Sequence, residues 1–167
     1  MTGSMRYVVF FIAAGVVLLV DLATKSAVMS AFSLHESMTV IPGFFDLTYV
    51  RNPGAAFGFL ARTSPAFRSF FFSGVAVAAI LFILYFLFRE KEAGLTLTLS
   101  LGLIIGGATG NLLDRIRFGE VVDFLDFSIG GYHWPAFNAA DSAISVGACL
   151  LLYEIFKRKE RRKAAGK

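Results

Sequence analysis

Charge is scarce in this chain: Asp, Glu, Lys and Arg make up 17% of its 167 residues, against 56% hydrophobic. A water-facing domain of that length needs a far more polar surface, so an ordinary soluble globule is excluded and a bilayer is the natural solvent. Cysteine is nearly absent. Cys149 alone permits no intrachain disulfide, and in its apolar stretch, with no activating neighbour, it reads as inert packing. His35 and His133 are the only histidines. With no His-Glu-x-x-His, they read as loop residues and not as an intramembrane zinc site. Gly-x-Ser-x-Gly is missing too, which removes the usual serine hydrolase elbow. Tandem repeats and low-complexity tracts are absent, so residues 1–167 read as one domain.

What the chain does have is apolar runs, enriched in 19 phenylalanines. A hydrocarbon core takes roughly 20 apolar residues to cross. Four segments qualify: about Tyr7–Met29, Ala66–Phe88, Leu95–Leu113 and Ala136–Phe156. The short Arg89–Gly94 link forces the middle two into a helical hairpin. Met1–Ser4, ahead of a second methionine, reads as a vector-derived leader and is left out of fold reasoning. Met5-Arg6 and the run to Val20 outline a secretory signal, but Asp21 and Lys25 stand where a small-residue cleavage site belongs. An uncleaved first span is expected instead.

The net charge of +4 points away from nucleic acid, because seven of the sixteen Lys and Arg lie between Lys157 and Lys167. A basic tail beside an apolar run is a topology signal or an anionic-lipid contact. With both termini and the Arg89–Gly94 loop on the cytoplasmic side, ten basic residues fall inside and six elsewhere, the bias that the positive-inside rule expects. A helical rise of about 1.5 Å per residue then puts Asp21 roughly 22 Å from Arg6, Asp141 roughly 24 Å from Lys157, and Asn111 about 30 Å from Lys91. Three spans deliver polar residues to one height, near the outer interface. Between spans, Thr39–Ile41, Phe45–Val50 and Val121–Phe127 read as strands, with turns at Pro42-Gly43 and Gly130-Gly131. Tyr49, Tyr132 and Trp134 suit the headgroup region. A small sheet on the outer leaflet is expected.

An acidic residue at a helix centre costs about 2.5–3.5 kcal/mol, so those near lipid usually face an interior and carry function. Asp123 follows one long apolar run and Asp141 opens the next. Two such carboxyls at one level point to a shared-proton acid/base pair, the chemistry of an aspartic protease. Asp21 and Lys25, at i and i+4, read as a neutralised pair bracing the site. Asp114-Arg115 reads as an interfacial ion pair or a helix-end cap, with a functional role equally open. Gly102, Gly106 and Gly110 read as close helix packing that would hold Asn111 in place. Glu36, Asp46, Glu120 and Asp126 read as solvated. Two competing functions remain open on residues alone: a proton-coupled carrier using Asp21, Lys25 and Asp141 as a relay, and a scaffold built on Gly-rich packing.

Five blocks carry a resemblance. They are Asp21-Leu-Ala-Thr-Lys25, Arg51-Asn52-Pro53-Gly54-Ala55-Ala56-Phe57-Gly58, Gly106-Gly-Ala-Thr-Gly-Asn111-Leu-Leu-Asp114-Arg115, Val121-Val-Asp123-Phe124 and Phe137-Asn138-Ala-Ala-Asp141. In that order they resemble the lipoprotein signal peptidases (signal peptidase II), from Met5 to the basic tail. The resemblance implies an α-helical integral membrane protein with four transmembrane helices, a small extracytoplasmic β-sheet forming a cradle, and cytoplasmic termini. It implies a multi-pass aspartic endopeptidase of the bacterial inner membrane, with Asp123 and Asp141 as catalytic dyad beside the periplasmic leaflet. Asn52, Gly54, Asn111, Arg115 and Asn138 would bind substrate or orient the dyad, with Asp21 and Lys25 in support. Substrates would be diacylglyceryl-prolipoproteins cut just before the lipidated cysteine, and globomycin-type cyclic peptides would inhibit. No metal or organic cofactor, and no partner beyond substrate and membrane lipids, is expected of a monomeric enzyme.

Overall fold

The computed structural model describes residues 3–54, 63–90 and 93–164. Ala55 to Gly58 of the second block, and Lys91 in the hairpin link, lie outside the described residues. Four helices carry the chain: α1 (Gly3–Ala31), α2 (Pro65–Arg89), α3 (Leu95–Phe118) and α4 (Ala139–Ala164). Four strands interrupt them: β1 (Ser37–Ile41), β2 (Phe45–Asn52), β3 (Val121–Ile129) and β4 (Tyr132–His133). All four expected spans are present, each as a helix long and apolar enough to cross a membrane.

Local chemistry sets the ends. Ser64 caps α2, its hydroxyl accepting from Phe67 N at 3.2 Å, and Pro65 takes the first helical position, where its missing N–H is no loss. Beyond the expected stop at Leu113, α3 continues more than one turn to Gly119, whose left-handed φ of 76° and bond to Arg115 O close it. That extension keeps Asp114 and Arg115 helical. The fourth helix begins three residues later than expected and runs through the basic tail to Ala164, so much of the tail is helix.

α3 is the central helix, and the other three pack around it while exposing most of their apolar side chains. Such an inverted surface is what a lipid solvent requires. Small residues let the backbones approach: a Cβ on Gly106 would sit 2.6 Å from Ala14 O of α1, and one on Gly147 would sit 2.9 Å from Ser100 O of α3. One apolar cluster, including Phe10, Leu87 and Leu101, fills the bundle end near both termini. A second, built on Val28, Tyr49, Val122 and Phe124, joins α1 to the sheet at the other end.

The sheet is antiparallel with order β1-β2-β3-β4. Strands β1 and β2 are longer than expected, and β2 reaches Asn52. Gly130 (φ 59°) and Gly131 (φ 83°) supply the paired positive angles of a two-residue hairpin, and His133 follows in β4, not in a loop. Leu47 pairs with Leu125 but Val50 pairs with Asp123, so β2 carries one extra residue between them, a bulge. Tyr49 is buried in the second cluster, its hydroxyl accepting from Arg51 Nε at 2.9 Å. One expectation is corrected. Cys149 lies on the outward face of α4 and is exposed rather than packed.

Candidate active site

The polar residues of α1, α3 and α4 converge at the sheet end of the bundle, between the two apolar clusters. Lys25 is the hub. Its ammonium, 1% exposed, lies 2.8 Å from Asp21 Oδ2, 2.9 Å from Asp114 Oδ2 and 3.0 Å from Asn111 Oδ1. One buried cation thus serves two buried carboxylates, and each of those also meets backbone: Asp21 Oδ1 accepts from Ala140 N at 3.0 Å, and Asp114 Oδ2 from Val122 N at 3.1 Å. These bonds tie α1 to the start of α4 and α3 to the start of β3. Gly110 makes room for the first tie, since any Cβ there would overlap the Asp21 carboxylate. The pairing of Asp21 with Lys25 is as expected. Asp114 pairs with Lys25 inside the cluster, not with Arg115 and not as a helix-end cap. Arg115, half-buried, donates to Asn111 O at 3.3 Å and lies over the Phe72 ring.

Asn138 joins the two aspartates. As N-cap of α4 its Oδ1 accepts from Asp141 N at 2.9 Å, and Asp141 Oδ2 accepts in return from Asn138 N at 3.3 Å. This is a reciprocal capping box, which fixes the Asp141 carboxylate at the positive end of a helix. The same asparagine donates through Nδ2 to Asp123 Oδ1 at 2.7 Å and to Asn111 Oδ1 at 3.1 Å. Asn111 Nδ2 donates to Asp141 Oδ1 at 2.8 Å, so Asp141 is held on both oxygens.

Asp123 is held on both as well. Asn52 Nδ2 donates to its Oδ2 at 2.8 Å, while Asn52 Oδ1 accepts from Gly54 N at 2.8 Å. Asn52 pairs with Val121, so Asp123 is its diagonal neighbour on one face of the sheet. Gly54 needs to be glycine twice over: its φ is +88°, and a Cβ would run into the Phe72 ring. Asp123 is 1% exposed. Burial, and then the negative charge of Asp141, push its carboxyl from 3.8 up to about 7, against the opposing effect of the bonds from Asn52 and Asn138.

All nine residues expected at the site are therefore in one connected cluster, with Gly54 and Arg115 at its α2 side. The residue that sequence reasoning missed is Asp114. Its signal was available: three positions after Asn111 on a helix, it shares that residue's face. Asn138-x-x-Asp141 likewise carried a readable capping signature. Asp126, three residues from Asp123 on a strand, faces the other way and pairs with exposed His133 at 3.0 Å. Among the described residues no three His, Cys, Asp or Glu side chains are placed to share a metal ion, and the space between Asp21 and Asp114 holds the Lys25 ammonium.

Comparison with known proteins gives the family and the fold. The family model described as Signal peptidase (SPase) II matches residues 13–157. The lipoprotein signal peptidase of Syntrophus aciditrophicus is 52% identical over 155 residues, covering 93% of this chain and 96% of that protein. That of Desulforapulum autotrophicum is 49% identical over 144 residues, covering 86% and 89%. A bacterial membrane enzyme solved by the in meso method at 2.3 Å superposes with a TM-score of 0.80 at 32% identity, over 92% of this chain and 90% of that one. With the match spanning all four helices, the sheet and the aspartate cluster, the chain belongs to the signal peptidase II family.

Proposed function

We propose that this peptidase is an aspartic endopeptidase of the bacterial inner membrane. It removes signal peptides from diacylglyceryl-modified prolipoproteins by cutting immediately before the lipidated cysteine. One observation carries the mechanism: Asn138 bonds to both Asp123 and Asp141 at the sheet end of the bundle. Amide hydrolysis needs a base for water and an acid for the carbonyl oxygen and leaving nitrogen. Two neighbouring buried carboxyls do not both ionise easily, and the raised position of Asp123 beside Asp141 is the expected consequence.

The ionised partner takes a proton from water as the water oxygen bonds to the scissile carbon. The protonated partner donates to the carbonyl oxygen, the proton taken from water then passes to the leaving nitrogen as the C–N bond breaks, and one hydroxyl of the collapsing diol returns its proton to the partner that donated. The two aspartates titrate as a pair, and either order balances. Asn52, Asn111 and Asn138 hold the carboxylates still and supply fixed dipoles in a partly dry site. Arg115 and Gly54, on the side facing α2, flank the path of the substrate chain. Asp21 and Lys25 brace the cluster without touching substrate.

Arg6, Arg89, Lys157, Arg158, Lys159, Arg161 and Lys163 stand at the opposite end, which supports cytoplasmic termini and a dyad beside the periplasmic leaflet. Acyl chains that stay in the bilayer are worth about 0.8 kcal/mol per buried methylene, ample to favour a lipidated precursor. The enzyme is expected to act as a monomer and to be inhibited by globomycin-type cyclic peptides. The test is cleavage of a lipidated precursor in vesicles by Asp123→Asn and Asp141→Asn. Each variant is expected to insert and fold yet lose roughly 10²–10⁴-fold or more in turnover. Turnover like the wild type's in either one removes the dyad. Efficient cutting of a precursor whose cysteine is replaced by serine removes the lipid requirement.

A further inference from the structure

An apolar wedge lies at the far end of the bundle from the aspartates. α2 and α4 both lean on α3, and the wedge between them is a cavity of about 310 Å³. Phe82 and Phe86 of α2, Leu101 of α3, and Leu151 and Ile155 of α4 make its walls. That volume is at the low end of small-ligand pockets, which run to about 300–1,000 Å³. An apolar cavity offers water no partners, and in a membrane-spanning bundle it opens onto hydrocarbon.

Polar groups stand only at the mouth. Arg158 lies 3.0 Å from Glu154 Oε1 and 3.3 Å from Glu90 Oε1, just past the end of α2. Arg6 donates to the Glu90 carbonyl, tying α1 into the same corner. These contacts use two of the five N–H groups on Arg158, whose side chain is 37% exposed. Residues 151, 154, 155 and 158 form one helical stripe, and the same period places Arg161 one turn further along it. The arginines and glutamates of the mouth balance in charge. Beyond them the chain carries Lys157, Lys159 and Arg161 against Glu160, an excess of positive charge on this end of α4.

We infer that this wedge is a phospholipid site, holding one acyl chain of an anionic glycerophospholipid whose phosphate lies against Arg158 and Arg161. The chain's terminal methylenes fill the space over Leu101, and the headgroup sits at the interface that the charged tail occupies. The site is separate from the aspartate cluster and would steady α2 against α4 from the leaflet opposite the chemistry.

The experiment is native mass spectrometry of the full chain released from micelles, with phosphatidylglycerol and phosphatidylcholine offered in equal amounts. The wild type is expected to keep one phosphatidylglycerol, preferred about fivefold for each engaged arginine. Leu101→Trp and, separately, Ile155→Trp fill the wedge and are expected to release it. Arg158→Gln with Arg161→Gln is expected to erase the headgroup preference. Ile155 is exposed, so its replacement tests the site even where Leu101→Trp fails to fold. Melting temperature and cleavage of a lipidated precursor report folding for each variant. A wild type that keeps no lipid, or keeps both lipids equally, overturns the site. So does a folded wedge-filling variant that keeps phosphatidylglycerol as the wild type does.

Discussion

Asp123→Asn is the sharpest probe of the buried pair, because it changes one proton and almost no volume. In the unfolded chain this carboxyl titrates near 3.8, and in the folded protein burial and Asp141 hold it at about 7. Between those values the folded state keeps a proton that the unfolded state has released. Stability therefore falls as pH rises through that window: the contribution is whole below the lower value and gone above the upper one. At 1.36 kcal/mol per unit, a gap of about three units is worth about 4 kcal/mol. The asparagine variant lacks the titration. Its own penalty is the meeting of its NH₂ with one of two donors, Asn52 Nδ2 or Asn138 Nδ2, at roughly 1–3 kcal/mol. That penalty does not depend on pH, so it cancels when two pH values are compared. Thermal melts in micelles from about pH 4 to about pH 8 should show the variant gaining about 4 kcal/mol on the wild type, on the order of 10 °C. Parallel curves for the two proteins would refute the raised Asp123 carboxyl and the coupling to Asp141 behind it.

Lys25→Met leaves the Asp21 and Asp114 carboxylates buried with no counter-charge, and a loss of about 3–5 kcal/mol is expected in a denaturation series. A variant as stable as the wild type would mean that these carboxylates are held by their backbone donors alone. Asn138→Ala removes both the cap of α4 and the donor to Asp123, so stability should fall by about 1 kcal/mol and turnover by roughly 10²–10³-fold. Asn138→Ser restores a capping oxygen without the amide donor. It should therefore melt nearer the wild type yet remain slow, and normal turnover in it would deny the amide its positioning role.

Much of this molecule was legible before any coordinates. Four spans could be counted because hydropathy over about 20 residues is a local sum that the bilayer enforces. Asp21, Asn111 and Asp141 could be put at one height because helical rise is constant. Boundaries were less legible where neighbours decide them. The first turn expected of α4 instead bridges to β3, with Phe137 paired to Leu125. α3 outran its apolar run because Asp114 is neutralised by Lys25, 89 positions earlier in sequence and invisible to any window. The burial of Tyr49 was not legible for a similar reason, since an exposed tyrosine and one buried with an arginine partner look the same in sequence.

The amino-acid order by itself determined the solvent, the number of crossings and the end of the bundle where charge collects, since each follows from composition and fixed geometry along one dimension. Which side chain meets which was decided only in three dimensions. The bulge in β2 sets the face on which Asn52 emerges, because a one-residue shift of register turns every later side chain over. Asn52 and Asp123 are 71 positions apart and Asn138 and Asp123 are 15 apart, yet each pair closes to under 3 Å. Hydrogen bonds of that length depend on the packing of three helices and a sheet together, and no property of a single segment contains them.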